Sequence, residues 1–189
     1  AGEGLGRGLT VMKGYYRKPK ETAEALADGW LRTGDAGVFE EDGCLRITER
    51  LKDLIKTSGG KYVAPQMLES TLGADHYVEQ IAVIGEGRKF VSALIVPAFD
   101  ALERWAQGEA ISFADRAQLV ADPRVVEFYR HRLDQRSVDL ASYERIVRFT
   151  LLPEALSVEG GEITPTQKVR RRAAAEKHRG AIDAMYAGH

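Results

Sequence analysis

Three glycine-bearing turn signals, each set between short apolar runs, restrict this chain to a fold built on β-hairpins: Asp42-Gly43, Ser58-Gly59-Gly60 and Gly85-Glu86-Gly87. Glycine adopts the positive φ angles that a tight reversal demands. The first signal predicts a hairpin over Val38–Ile47 with a two-residue Asp-Gly turn, and the second a hairpin joining Leu54–Thr57 to Lys61–Val63. The third separates strands expected at Ile81–Ile84 and Val91–Val96. Along that last run Val91, Ala93 and Ile95 fall on one face and Ser92, Leu94 and Val96 on the other, so both faces need cover.

Helices are available to supply it. One starts at Pro65 and carries Met67, Leu68 and Leu72; another spans Phe99–Trp105. Asp122-Pro123 is a cap and first-turn proline ahead of Val125, Tyr129 and Leu133, which recur every four residues. A terminal helix is expected over Val169–Tyr186, a short helical turn over Thr22–Leu26, and further strands at Leu9–Tyr16 and Arg145–Leu152. The fold class is therefore α+β: a hairpin and a mainly antiparallel sheet flanked by helices, preceded by a β-rich segment.

Composition excludes several function classes. The 27 basic residues nearly cancel the 28 acidic ones, so no overall field favours nucleic acid or an anionic membrane. Cys44 is the only cysteine and cannot form an intrachain disulfide, and no apolar run approaches the ~20 residues needed to span a bilayer. A reducing, cytoplasmic setting is the default. His76, His131, His178 and His189 show no metal-ligand spacing, and no Gly-x-Ser-x-Gly nucleophile turn occurs. The chain begins at Ala1 within a Gly-rich segment that has no preceding element to pair with, and it is read as a piece of a longer polypeptide.

Four segments bear chemistry. In Thr33-Gly34-Asp35 a carboxylate follows a glycine-permitted bend and can accept both hydroxyls of a ribose diol; taken singly it is equally a turn cap. Arg50 offers a fixed fork of donors for ribose or phosphate oxygens. Taken singly, Arg50-Leu51-Lys52-Asp53 is a solvated strand end. Ser58-Gly59-Gly60 can let a ligand pass where side chains would block it, or serve only as a turn. Lys168 follows the proline-restricted approach Thr164-Pro165-Thr166-Gln167, which holds its ammonium at a loop tip; an isolated lysine in that place is a solvated surface residue. Beyond it, Lys168, Arg170, Arg171, Arg172, Lys177 and Arg179 against Glu176 give a local charge of 6 − 1 = +5. That run suits coenzyme A phosphates or an anionic lipid surface better than nucleic acid, because no aromatics interleave with it.

Read together and in order, Gly29-Trp30-Leu31-Arg32-Thr33-Gly34-Asp35, Glu49-Arg50-Leu51-Lys52-Asp53-Leu54-Ile55-Lys56-Thr57-Ser58-Gly59-Gly60 and Glu162-Ile163-Thr164-Pro165-Thr166-Gln167-Lys168-Val169-Arg170 resemble the late motifs of the adenylate-forming enzymes. The wording is nearest the long-chain fatty acyl-CoA synthetases. The resemblance implies that residues 1–48 are the tail of a large N-terminal adenylation domain, 49–53 a hinge, and 54–189 a mobile C-terminal domain. It implies that Asp35 and Arg50 bind nucleotide, Lys52 is the pivot, Ser58, Gly59 and Gly60 line a coenzyme A channel, and Lys168 is catalytic, with no metal held by these residues. The family's glycine before the arginine is Glu49 here, and its glycine before the lysine is Gln167.

The implied reactants are a fatty acid, ATP and coenzyme A, with magnesium and the triphosphate loop supplied by the chain's own N-terminal domain. Peripheral membrane contact stays open, as do three competing readings. These are a fatty acyl-AMP ligase or peptide-synthetase adenylation domain, a polyanion-binding module using the basic terminal helix, and a free-standing regulatory domain.

Overall fold

The computed structural model describes residues 2–188; Ala1, His189 and the Glu49 side chain lie outside the described residues. The chain divides into two units, residues 1–54 and 55–189.

The first unit contains β1 (Gly2–Gly6), α1 (Pro19–Ala25), β2 (Leu26–Ala27), β3 (Trp30–Phe39) and β4 (Leu45–Arg50), followed by a 3-10 turn at Leu51–Asp53. Strand β3 is paired along both edges, since Leu31 faces Gly6 and Leu26 while Gly37 faces Gly2 and Ile47. Leu9–Tyr16 does not join this sheet. The strand expected there is replaced by turns, closed by bonds from Val11 N to Gly8 O (3.2 Å) and Lys18 N to Tyr15 O (3.2 Å). It is the Gly-rich Gly2–Gly6 segment that pairs with β3 instead.

The β3–β4 hairpin forms as expected, but its turn is longer than two residues. Glu40 N donates to Cys44 O (2.9 Å) and Gly43 N to Glu40 O (3.0 Å). Only Gly43 takes a positive φ, +82°. Asp42 Oδ1 accepts from Cys44 N (2.9 Å), a local side-chain turn that satisfies the loop without a second positive φ.

The second unit opens with the hairpin β5 (Ile55–Lys56) and β6 (Tyr62–Val63), then α2 (Pro65–Gly73), β7 (Val78–Ile84) and β8 (Ser92–Pro97). Next come α3 (Phe99–Gly108), α4 (Arg116–Ala121), α5 (Pro123–Arg136), β9 (Arg148–Leu151), α6 (Arg171–Lys177) and α7 (Arg179–Tyr186). Strand β8 is central, antiparallel to β7 and parallel to β9, with Ala93 facing both Val83 and Phe149. A parallel pair needs a long crossover, and α3, α4 and α5 provide it. Both faces of β8 are buried, as the run of apolar residues requires.

Val125, Tyr129 and Leu133 are buried along one stripe of α5, and Asp122 caps the helix by accepting from Arg124 N (2.8 Å). The short α4, which the sequence pattern does not announce, starts at an equivalent cap, with Asp115 accepting from Gln118 N (2.8 Å). The strand expected at Arg145–Leu152 is regular only over Arg148–Leu151, although bonds from Val147 N to Val91 O and Leu152 N to Ile95 O extend its reach. The expected terminal helix is two helices that meet at His178, with Val169 left outside as a bridge partner of Ile163.

A buried carboxylate ties α5 to the end of α2. Asp75 accepts from Arg132 Nε (2.8 Å), Arg136 Nε (3.0 Å) and Tyr77 N (2.9 Å). Burial opposes its charge, but Arg132, the Tyr77 amide and Arg136 outweigh that and hold its carboxyl below the ordinary aspartate value. Among the described residues no helix is long and apolar enough to cross a membrane.

Candidate functional site

In the first unit, Asp35 and Arg50 are register partners across β3 and β4, and Arg50 Nε donates to Asp35 Oδ1 at 3.0 Å. Two features aim them. Gly34 has φ +72°, a bend open to glycine at no steric cost. Beside it the pairing slips by one residue, from Ala36↔Glu49 to Gly37↔Ile47, a bulge of the kind that re-aims neighbouring side chains. The bend is braced from β1: Thr33 Oγ1 donates to Gly4 O (2.7 Å), and Glu3 accepts from Gly34 N (3.2 Å) and Arg32 Nη2 (2.8 Å). The hydrogen bond and charge of Arg32 hold the Glu3 carboxyl below its ordinary value. Asp35 is 27% exposed and Arg50 67%, so the pair is open to a ligand. A carboxylate tied through one oxygen can accept a ribose hydroxyl through the other.

Lys52 is exposed and sits in the 3-10 turn Leu51–Asp53, with extended backbone on both sides: Arg50 at ψ 128° and Leu54 at ψ 131°. A single short turn between extended residues is a place where few dihedral changes redirect the chain. It lies just before the boundary at Leu54.

In the second unit, the hairpin carrying Ser58, Gly59 and Gly60 is closed by Thr57 N to Lys61 O (2.9 Å) and Gly60 N to Thr57 O (2.9 Å). Ser58 N donates to Arg88 O (2.8 Å), which anchors the loop to the β7–β8 turn. Gly60 has φ +76° and is required by the turn. Gly59 is different, for it lacks a positive φ and a Cβ there would meet nothing within 4 Å. Neither the backbone angle nor the space around it therefore requires glycine at this position.

Lys168 is exposed where a second loop of the same size closes, opposite Thr164. Ile163 and Val169 form an antiparallel bridge; beyond it Thr164 N donates to Lys168 O (2.8 Å), Gln167 N to Thr164 O (2.8 Å) and Lys168 N to Thr164 Oγ1 (3.0 Å). Gln167 takes φ +62°, the left-handed conformation where most L residues are strained. The loop borders a cleft of about 570 Å³, shared with Gln66, Glu69, Glu79 and Arg171.

The basic run beyond Lys168 is less available than its sequence suggests. Arg171 binds Glu69 through two bonds (2.8 and 3.2 Å), and Lys177 Nζ lies 2.8 Å from Glu162 Oε2. With Arg172 3.7 Å from Glu176, at least three of the six cations are paired within the chain. Glu162, to which the sequence reading assigned no role, is 1% exposed and also accepts from His178 Nε2 (2.7 Å) and Ser157 N (3.3 Å). Burial works against its charge, yet Lys177, His178 and the Ser157 amide prevail and hold the carboxyl below the ordinary glutamate value. Gly160 makes room for this cluster, since a Cβ there would stand 2.5 Å from Glu162 Oε2 and 2.9 Å from Lys177 Nζ. Lys177 and His178 lie 15 and 16 residues from Glu162, outside any local pattern; only the close-approach glycine hinted at it. Among the described residues no group of three or more His, Cys, Asp or Glu could hold a metal ion.

Comparison with known proteins places this geometry in context. The chain is 40% identical over 186 residues to the long-chain-fatty-acid–CoA ligase FadD15 of Mycobacterium tuberculosis, covering 98% of this chain and 31% of that protein. It is 35% identical over 189 residues to the human long-chain-fatty-acid–CoA ligase 1, covering 98% and 27%. It therefore spans about a third or less of the length of these curated relatives. Among solved structures, the A domain of a carboxylic acid reductase from Segniliparus rugosus, in complex with AMP and a co-purified carboxylic acid, superposes with a TM-score of 0.74. The identity is 26%, with 98% of this chain and 28% of that one covered. Residues 52–189, which include both glycine-loop and lysine-loop hairpins, match the AMP-binding enzyme C-terminal domain, and the chain belongs to that family.

Proposed function

We propose that this chain is the C-terminal part of an AMP-forming long-chain fatty acyl-CoA synthetase. In the first half-reaction a fatty carboxylate oxygen attacks the α-phosphorus of ATP, the bond to the β-phosphate oxygen breaks, and acyl-AMP and pyrophosphate result. Negative charge shifts onto the phosphate oxygens in that transition state, and the Lys168 ammonium stabilises it. Asp35 holds the ribose hydroxyls, with Arg50 orienting its carboxylate and facing the nucleotide. In the second half-reaction the coenzyme A thiol attacks the acyl carbon, AMP leaves, and a proton is released. The 3-10 turn at Lys52 is the pivot between the two arrangements. Ser58, Gly59 and Gly60 then border the path of the pantetheine arm.

On this reading the chain acts with its own larger N-terminal domain, which holds magnesium and the acyl chain, in the cytoplasm or at a membrane surface. The observation that carries the reading is the self-bonded loop that presents Lys168 to solvent while fixing its backbone on both sides. A preorganised cation costs no rearrangement when charge develops, and loss of one such group typically slows a reaction by ~10²–10³. In the full-length enzyme Lys168→Ala is expected to reduce ATP–pyrophosphate exchange by about that factor and to spare thioester formation from supplied acyl-AMP. Equal loss of both steps contradicts the assignment.

An acyl-AMP ligase or another adenylation domain would share Asp35, Arg50 and Lys168. The likeness to long-chain-fatty-acid–CoA ligases favours the coenzyme A reading, and formation of the thioester with coenzyme A decides between them.

A further inference from the structure

The loop that Lys168 closes with Thr164 is short, and its own hydrogen bonds fix its shape but not its direction. Direction comes from the two legs. On the leading leg stands Glu162, whose main chain joins both: Glu162 N donates to Ser157 O (3.1 Å), and Arg170 N, on the trailing leg, donates to Glu162 O (2.7 Å). Its carboxylate reaches away from the tip and is gripped by Lys177 Nζ at 2.8 Å and His178 Nε2 at 2.7 Å. Those two residues are the last of α6 and the junction of α6 with α7, where the helical run breaks. The helix that follows is rooted in the core through Ile182 and Met185. A chain of contacts thus runs from core to helix junction, to Glu162, to the base of the Lys168 loop.

Charge at this site is otherwise hard to justify. A buried ion pair is weak evidence for stability, because desolvation consumes most of the Coulomb gain. A well-packed apolar side chain would hold the fold as well. What a carboxylate adds to packing is a pair of directional bonds, since hydrogen bonds to two donors set its plane. Gly160 is kept bare so that the cluster fits, with 2.9 Å from its notional Cβ to Ser157 Oγ as well.

We infer that Glu162 is a positioning residue for the lysine loop: through Lys177 and His178 it aims the Lys168 ammonium, and it acts in adenylation only by way of that ammonium. The inference rests on the adenylation role given to Lys168 above. Misplacing a reacting group by about 1 Å can cost up to ~10² in rate without disturbing the rest of a protein.

The test is a double-mutant cycle in the full-length enzyme. Glu162→Gln, which keeps volume and loses charge, is expected to lower kcat for ATP–pyrophosphate exchange by about tenfold or more, leave KM for ATP near wild type, and leave thioester formation from supplied acyl-AMP unchanged. In a Lys168→Ala background the same change is expected to cost nothing further. Asp75→Asn is the control: it breaks a second buried charge cluster that has no hydrogen bond to the loop, and it should not discriminate between the half-reactions. If Glu162→Gln impairs folding, Lys177→Met, which leaves the His178 bond in place, takes its part in the same cycle.

An unchanged exchange rate, an equal loss in both half-reactions, or an equal cost with and without Lys168 overturns the inference. Should Lys168→Ala itself spare adenylation, the functional reading fails instead. Amide exchange then still judges the clamp: Glu162→Gln should speed exchange at Thr164 and Lys168 and leave Ala93 and Ile95 protected, and unaltered loop protection refutes it.

Discussion

The two units of this chain are stabilised in opposite ways. Beyond Ile55 lies every buried apolar side chain among the described residues, with Leu94, Ile95, Leu102, Leu119 and Val125 essentially sealed from solvent. In the first unit several large apolar residues of the sheet stay in water, with Phe39 78% exposed, Ile47 55% and Leu45 50%, and the others only half-buried. That sheet holds its shape by strand pairing and by polar braces such as Glu3–Arg32 and Thr33–Gly4, not by a core. The lesson concerns where each kind of site is built. Asp35 and Arg50 sit on a hydrogen-bonded sheet without a core of its own. The lysine and glycine loops stand on a unit that carries its own core.

The sharpest way to break this comparison is to separate the units. Residues 55–189 alone are expected to unfold in one cooperative transition by denaturant titration, and residues 1–54 alone to show none, because apolar burial supplies the main driving force. A cooperative transition in the short piece would dismiss the contrast. Single truncations give the next largest effect. Leu94→Ala should cost about 2–5 kcal/mol, whereas Leu45→Ala should fall within about 0.5 kcal/mol, both read from urea midpoints.

Acid offers a third handle. Asp75 and Glu162 both have carboxyls held below their ordinary values in the folded chain. Each therefore contributes stability that is fully present above the unfolded value and fades as pH falls through the folded one. Stability should drop below about pH 4.5, the reference for Glu, and further below 3.8, that for Asp. Asp75→Asn and Glu162→Gln should each flatten that decline while lowering neutral-pH stability by about 1–3 kcal/mol. A parallel decline in the variants would contradict the linkage. The smallest effect on stability belongs to Gly59→Ala, within about 0.5 kcal/mol because nothing crowds the site; Gly60→Ala, at φ +76°, should cost more. If Gly59 keeps the thiol path clear, the Gly59→Ala enzyme should nonetheless slow in thioester formation, and an unchanged rate would make the glycine merely a turn residue.

How much of this was legible beforehand depended on distance along the chain. The α5 stripe of Val125, Tyr129 and Leu133 and the Asp122 cap are local signals, and both formed. So did the hairpins around Gly43 and Gly60, although the Asx bond at Asp42 lengthened the first turn. The strand at Gly2–Gly6 was not legible, since glycine carries no strand preference and only the open edge of β3 recruits it. The strand expected at Leu9–Tyr16 gave way to turns. Parallel pairing of β9 with β8 joins residues more than fifty positions apart, and no periodicity reports it. The site divides likewise. Asp35, Arg50 and Lys168 could be proposed from ordered motifs, whereas Glu162 meets Lys177 and His178 only after the helices pack.

The claim beneath this account is that one small unit serves two steps with different parts of its surface, switching at the turn around Lys52. The most direct test measures both half-reactions side by side in full-length Lys168→Ala and Lys52→Pro. The expected result is a crossed pattern: Lys168→Ala loses ATP–pyrophosphate exchange and keeps thioester formation from acyl-AMP, while Lys52→Pro keeps exchange and loses thioester formation. If both variants lose the same step, or each loses both in equal measure, the two-step division of this unit is wrong.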